Sequence, residues 1–205
     1  MKIKISILLS SLFLFPLLSF SADLITPAEK LELDKGVMVK KIKWKKGYVW
    51  PEVTILTLLK HSPLDNLNIF LEFNDHKNYI PDMLKSKIIK KISPSQLHVY
   101  VEMSVPWPVK KSTHVTNNLV SHDPDGSHTL KWNLVKADMI KATDGYILFS
   151  PYEGKTLLKY VSLIVPNSSF AGLFKNRVAT DVEKAVIEIT KHLEKKINSQ
   201  ALPPK

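Results

Sequence analysis

The sequence of 205 residues contains no cysteine. This excludes both a disulfide framework and a lipid anchor on an N-terminal cysteine, so an ordinary apolar core must stabilise the fold. Arginine is also scarce, because Arg177 is the only one among 29 basic Lys and Arg residues. The net charge of +10 favours anionic partners. However, the side chain that reads guanine through paired hydrogen bonds is almost missing, and we expect no nucleic-acid partner.

Beyond the first residues the sequence also lacks a long apolar run, which argues against a further membrane span. Residues 1–21 place Lys2 and Lys4 before an apolar stretch, and Ser19 and Ser21 follow it. This order is typical of a secretory signal peptide, with cleavage predicted after Ser21. The alternative is an uncleaved anchor, but Pro16 interrupts the run. We therefore expect an exported protein, periplasmic in a Gram-negative host and secreted otherwise.

What is present is typical of a folded globular chain, with 44% hydrophobic and 23% charged residues. We predict one domain over 22–205, with a core at about 34–195 and a disordered tail at about 198–205. Alternating apolar residues and turn signals predict seven strands, at 36–44, 48–62, 86–93, 96–105, 128–137, 145–150 and 155–165. A helix over 62–74 and a short helical turn follow the second strand.

The longest predicted helix covers residues 168–197. Its apolar stripe recurs every three or four residues and consists of Phe170, Phe174, Val178, Val182, Ala185, Ile189 and Leu193. The sheet and this helix each have one apolar face that must be buried, and each can bury the other. We therefore predict an α+β fold in which a curved antiparallel sheet of about seven strands wraps around the C-terminal helix. Such a layout favours an apolar cavity between the two.

Four stretches support a resemblance to a known family: "DKGVMVKKI" at 34–42, "NDHKNYIPDM" at 74–83, "VPWPVKK" at 105–111 and "FSPYEGKTLLKYVSLIVP" at 149–166. In this order they resemble the START-like (SRPBCC, helix-grip, polyketide cyclase/lipid transfer) superfamily, in its bacterial START-domain form. The resemblance implies a helix-grip fold and a hydrophobic ligand, since relatives bind sterols, phospholipids, polyketides or quinones. A minority are cyclases or hydrolases. The family's Arg-Asp pair after Pro-Trp-Pro is replaced here by Ser112 and Thr113.

Large side chains near these motifs form the predicted ligand site. Pro106 and Pro108 fix φ on both sides of Trp107 and end the strand, which favours a place for Trp107 at the cavity rim. We expect the ligand to contact Val101, Met103, Trp107, Trp132, Tyr146, Tyr160, Phe174, Arg177 and Val178. For the aromatic residues on the strands, core packing is the alternative. For Arg177, the alternatives are an ion pair at the cavity mouth and an exposed surface cation.

Catalytic motifs are sparse. The sequence has no GxSxG, P-loop or dinucleotide fingerprint, and we predict no catalytic residue, metal or cofactor. His122 and His128 flank an Asp-Pro-Asp-Gly turn, where exposure is favoured over a metal site. Residues two apart share a strand face, so Glu102 becomes a buried general base only if its face, rather than that of Val101 and Met103, lines the cavity.

Three functions follow from these patterns. The first is an exported protein that binds or transports a lipid or another hydrophobic ligand between sheet and helix. Lysines near the entrance would then contact an anionic membrane surface. The second is a cyclase- or hydrolase-type enzyme acting on a hydrophobic substrate in the same cavity, with Glu102 or a histidine as general base. The third is an interaction module whose cavity is filled by its own side chains.

Overall fold

One antiparallel sheet of eight strands forms most of the fold. The computed structural model describes residues 25–105 and 110–201. In chain order its elements are α1 (Pro27–Asp34), β1 (Val39–Lys43), β2 (Glu52–Leu59), α2 (Pro63–Phe70), a 3₁₀ helix (Phe73–Asn78), β3 (Met83–Ser93), β4 (Gln96–Val105), β5 (Lys110–His122), β6 (His128–Ala137), β7 (Ile140–Tyr152), β8 (Lys155–Pro166), a 3₁₀ helix (Ala171–Phe174) and α3 (Val178–Ala201).

The strands lie in the order β1-β2-β8-β7-β6-β5-β4-β3, and every pair is antiparallel. From β3 to β8 each strand pairs with the next in sequence, as expected for a meander. The connection from β2 to β3 instead crosses from one side of the sheet to the other through α2 and the first 3₁₀ helix. Register shifts between β3 and β4 and between β5 and β6 mark bulges, which bend a sheet.

The predicted helix-grip architecture is confirmed, with one strand more than expected. The additional strand is β5, which follows the Pro-Trp-Pro motif. Its residues Ser112, His114, Thr116 and Asn118 share one face. Because this inner face is polar, the strand lacks the apolar alternation that marks the others in the sequence.

The core lies between the sheet and α3. The core contains four buried residues of α3: Ala179, Val186, Ile189 and Leu193. They pack against residues of α2, of β2 and of other strands of the sheet. A smaller cluster lies on the outer face of the sheet, where Leu33 of α1 packs on Leu56 and Leu157. A capping box formed by Thr26 and Glu29 starts α1 and holds it over this cluster.

The C-terminal helix begins ten residues later than predicted. Residues 168–177 form a loop and a short 3₁₀ helix instead. The Ala171 carbonyl, at the start of that 3₁₀ helix, accepts a hydrogen bond at 2.8 Å from Trp50 Nε1. At its other end α3 continues to Ala201, so residues 198–201 are helical where a disordered tail was expected. The predicted signal peptide and residues 202–205 lie outside the described residues. In the described part of the chain, no helix is long and apolar enough to cross a bilayer.

Candidate functional site

A cavity of about 770 Å³ separates the inner face of the sheet from the first half of α3. Val182, Ala185 and Ile189 of α3 form one wall, and the strands form the other. The segment before α3 closes one side through Ala171 and Phe174. The strands line the cavity with apolar and small polar side chains, whereas charged ones are restricted to its border. A cavity of this size suits a small-molecule ligand.

The structure brings together seven of the nine predicted ligand contacts. Each of these seven lines the cavity: Val101, Met103, Trp132, Tyr160, Phe174, Arg177 and Val178. Trp107 lies outside the described residues. The seven come from β4, β6, β8 and the region around the start of α3, so their grouping depends on the whole fold. Their contact with a ligand stays a prediction.

Tyr146 does not line the cavity. On β7 its neighbours Gly145 and Ile147 face inward, and Ile147 is fully buried. Tyr146 therefore lies on the outer face of the sheet, where the Lys159 amine is 5.9 Å from its ring centre. The sequence reveals an aromatic residue on a strand, but the face depends on the register with the neighbouring strands.

Trp132 and Tyr160 form an aromatic wall. Their ring centres are 5.4 Å apart and their planes meet at 42°. On the neighbouring strand β7, Gly145 lies opposite Trp132 and leaves room for its indole. Burial raises the pKa of Tyr160 to about 12, so its hydroxyl stays protonated at neutral pH. This wall is largely apolar, and its two polar groups, the Trp132 indole N–H and the Tyr160 hydroxyl, are neutral.

Glu102 lies on the other face of β4 from Val101 and Met103. Tyr100 Oη donates a hydrogen bond to its carboxylate at 3.0 Å, and Lys111 Nζ lies 3.2 Å away. Lys111 lowers the pKa of Glu102, the opposite of what a general base in an apolar cavity needs. Glu102 is an ionised group outside the cavity, so it is not the general base of the enzyme hypothesis, whose other candidate is a histidine.

The sequence interpretation missed a set of polar residues that line the cavity: Ser86, Ser112, His114, Thr116, Asn118, Thr143 and Ser162. Most of them come from β5. Asn118 Nδ2 donates to Thr116 Oγ1 at 2.8 Å, and the Ser112 hydroxyl donates to Asp138 at 3.2 Å. In the sequence they are marked by a polar residue at every second position from Ser112 to Asn118. This pattern indicates a strand only when the neighbouring strands are known.

Charged residues lie at the border of the cavity and are at least partly exposed: Asp82, Arg177, Asp181 and Lys184. Arg177 forms an ion pair with Asp181 at 3.7 Å, with side chains 58% and 44% exposed. At such exposure the pair contributes little to stability. Arg177 is thus both exposed and next to the cavity mouth, which leaves it free to contact a polar group there.

The structure brings no metal site together from the described residues, among which no group of three or more metal-binding side chains occurs. His122 and His128 do meet across the β5–β6 hairpin, with their Nδ1 atoms 3.1 Å apart. Both are exposed. The pair lacks a third ligand among the described residues and lies outside the cavity.

Neither a protein-family model nor a curated protein matches this sequence. Solved structures do match. A STAR-related lipid transfer protein of Xanthomonas axonopodis is 18% identical with a TM-score of 0.69, over 76% of this chain and 93% of that one. Human STARD10 is 12% identical with a TM-score of 0.64, over 86% and 81%. An aromatase/cyclase of Streptomyces sp. R1128 is 12% identical with a TM-score of 0.57, over 73% and 97%.

At these identities the matches concern the fold and not the chemistry. The chain therefore has the START-like, helix-grip fold.

Proposed function

We propose that the protein binds or transports a lipid or another hydrophobic small molecule, which it encloses between the sheet and α3. The observation that supports this most strongly is the cavity of about 770 Å³, left where a core would otherwise be filled by side chains. Apolar burial of a ligand there contributes about 25 cal/mol per Å² removed from water. Val101, Met103, Trp132 and Tyr160 form its wall.

The N-terminal sequence adds a compartment to this proposal. Residues 1–21 have the order of a secretory signal peptide, so the protein works after export, in the periplasm of a Gram-negative host or outside the cell otherwise. Glu102 lies away from the cavity, and we propose no catalytic step.

Mass spectrometry of the protein purified from its own host tests this function. We expect native spectra to show a bound lipid, sterol or quinone, and the intact mass to show removal of residues 1–21. Val182→Trp should lose most of the bound lipid, because its side chain lines the cavity and an indole there fills the space of the ligand. Lys191→Trp, on the exposed side of the same helix, should retain it.

An empty wild-type protein that takes up no lipid, sterol or quinone from extracts would contradict the proposal. Equal lipid content in Val182→Trp and wild type would place the ligand elsewhere. Circular dichroism of each variant checks that α3 and the sheet have formed.

We further propose that a surface beside the cavity, the apolar rim, docks on an anionic membrane. The rim consists of Trp44, Tyr48, Val49, Phe170 and Leu173, all exposed, with Leu173 at 75%. The hydrogen bond from Trp50 to Ala171 joins its two segments, and both Trp50 and Ala171 line the cavity. Trp and Tyr favour the membrane interface, so this surface suits insertion into head groups.

The charge of the two segments favours an anionic membrane. Residues 43–50 hold three lysines and residues 167–177 hold Lys175 and Arg177, whereas neither segment contains an acidic residue. Lys45 is paired with Glu52, but Lys43, Lys46 and Lys175 form no ion pair with a described residue. Basic residues near the surface each contribute about 1 kcal/mol to binding of anionic lipid.

Co-sedimentation with vesicles tests the apolar rim. Wild type should bind phosphatidylglycerol vesicles better than phosphatidylcholine vesicles, with salt weakening the binding. Leu173→Ser should weaken it about five- to tenfold, because a leucine leaves the interface. The matched control is Leu31→Ser, which changes another exposed leucine, on α1 and away from the cavity. Equal losses in the two variants, or equal binding to both kinds of vesicle, would contradict this docking surface.

A further inference from the structure

The buried part of the cavity carries polar side chains, none of which is ionised. Ser86, Ser112, Thr116, Asn118, Thr143 and Ser162 each expose 8% or less of their surface. The charged side chains that line the cavity in the described chain all lie at its border, where solvent reaches them. A purely apolar ligand would leave the buried hydroxyl and amide groups facing hydrocarbon, which is unfavourable.

Three of these residues and His114 form a compact set on the cavity wall, here called the polar patch: Ser86, Ser112, His114 and Thr116. Ser86 of β3 pairs with Val101 of β4, and Val101 pairs with His114 of β5, so the three form one row across the sheet. Ser112 and Thr116 flank His114 on the same face of β5. The polar patch therefore surrounds Val101 at one place on the cavity wall.

Two atoms of the polar patch have no hydrogen-bond partner among the described residues. They are Ser86 Oγ and His114 Nδ1, both fully buried. Ser86 as a residue is only 4% exposed. Buried polar atoms in native proteins are nearly always paired, so each such atom calls for an explanation. A ligand group in the cavity would supply the missing partners.

The electrostatics of the polar patch limit the ligand. Burial lowers the pKa of His114, and that of His76 deeper in the cavity, so both imidazoles are neutral at neutral pH. A phosphate or carboxylate group placed here would lose its hydration without gaining a counter-charge, and the Asp138 carboxylate that accepts a hydrogen bond from Ser112 would repel it, which is strongly unfavourable. A hydroxyl or a carbonyl group would instead exchange water for the Ser, Thr and His groups at little cost.

We infer that the ligand is an uncharged lipid whose hydroxyl or carbonyl groups bind to the polar patch, while its hydrocarbon contacts the aromatic and aliphatic wall. This inference rests on the proposed function and narrows its ligand class. Lipids that would bury a charged head group are excluded from the cavity. The charged residues at its border cannot neutralise such a buried head group, because they lie in solvent.

Two lipids that differ only in the charged group test the inference. Phosphatidylcholine vesicles carry dioleoylglycerol or dioleoylphosphatidic acid at equal low mole fraction, and lipid bound to the protein is quantified by mass spectrometry after separation. Dioleoylglycerol should bind about tenfold better or more, because its head group is uncharged. Equal or better uptake of phosphatidic acid would overturn the inference and leave the proposed function standing. Uptake of neither lipid would also overturn the inference, and a protein that in addition takes up no sterol or quinone from extracts would overturn the proposed function.

Variants of the polar patch locate the head group. Ser86→Ala and His114→Leu should each lower dioleoylglycerol uptake about two- to tenfold, the effect of one lost hydrogen bond. The matched control is Ser121→Ala, an exposed serine on β5. Ser86→Ala also removes an unpaired buried hydroxyl, so its unfolding temperature should stay the same or rise while uptake falls. A purely structural role of Ser86 would not lower uptake without lowering the unfolding temperature. Unchanged uptake in both patch variants would overturn the inference, because the patch would then not bind the ligand.

Discussion

Gly145→Ala should destabilise the protein by about 3 kcal/mol, at the upper end of the usual cost of overpacking a core. A β-carbon on Gly145 would lie 2.5 Å from Trp132 Cζ2 and closer still to the carbonyl oxygen of Val161. The indole can rotate only into the cavity, whereas the Val161 carbonyl belongs to the backbone of β8 and cannot move without breaking the ladder. Urea denaturation at neutral pH measures the free energy of unfolding.

Gly172→Ala is the matched control for this substitution. Gly172 lies in the 3₁₀ turn before α3, and a β-carbon there would meet no atom within 4 Å. The control should therefore remain within about 0.5 kcal/mol of wild type. If Gly145→Ala unfolds at the same urea concentration as Gly172→Ala, Trp132 does not pack over Gly145, and the aromatic wall of the cavity is not as described.

The second large effect is expected from acid. His76 is 5% exposed, and its ring packs against Phe70, Phe73 and Tyr79 with centres 4.8 to 5.5 Å apart. His76 Nε2 lies 2.7 Å from the Phe70 carbonyl oxygen. Burial among these rings lowers the pKa of His76 from 6.5 to about 4, an effect that outweighs the nearby Asp75 carboxylate. Both forms of the ring can donate from Nε2 to the carbonyl, but the imidazolium also buries a charge among apolar rings, so the neutral form is favoured.

The sign of the effect follows from the two pKa values. Between pH 6.5 and pH 4 the unfolded chain binds a proton at His76 that the folded protein does not bind, so the free energy of unfolding falls as the pH falls. The drop of the His76 pKa from 6.5 to about 4 corresponds to about 3 kcal/mol of unfolding free energy. This stability is lost as the pH falls below 6.5, and the loss is almost complete at pH 4. His192 faces the same cluster, stacked on Tyr79 at 4.0 Å, and its lowered pKa adds a change of the same sign.

Urea denaturation at a series of pH values isolates the contribution of His76. His76→Gln retains a donor for the Phe70 carbonyl and removes the titrating group, so its free energy of unfolding should fall about 3 kcal/mol less than that of wild type between pH 7 and pH 4. His122→Gln, which changes an exposed histidine, should follow the wild-type curve. Parallel curves for wild type and His76→Gln would mean that His76 is not the acid-sensitive group.

The parts of this fold that the sequence reveals are those where one face is consistently apolar. The stripe from Val178 to Leu193 predicts the long helix because its residues have only the core to pack against. Its start is placed too early, since Phe170 and Phe174 continue the spacing. The phenylalanines have separate roles: Phe170 is exposed and Phe174 lines the cavity. Spacing alone does not show that Trp50 binds the Ala171 carbonyl.

The candidate site is less accessible from the sequence for a related reason. A residue that lines a cavity need not be apolar. Ser112, Thr116 and Asn118 on β5 have side chains typical of a protein surface, so the sequence pattern does not predict this strand. Val101 and Met103 were predicted correctly to lie inside because their side of β4 is the more apolar one. Tyr146 is predicted from the sequence to contact the ligand, but it lies on the outer face of the sheet. Both faces of β7 carry large side chains, and only the pairing of β7 with β6 and β8 shows which one faces the cavity.

The central claim is that the space between the sheet and α3 holds a hydrophobic ligand. A crystal structure of the protein purified with its native ligand tests this most directly. We expect electron density for one elongated molecule in the cavity, in contact with Trp132 and Tyr160 and with a polar end near Ser86 and His114. Side chains of the protein itself filling this volume, or a bound lipid only outside it, would contradict the account.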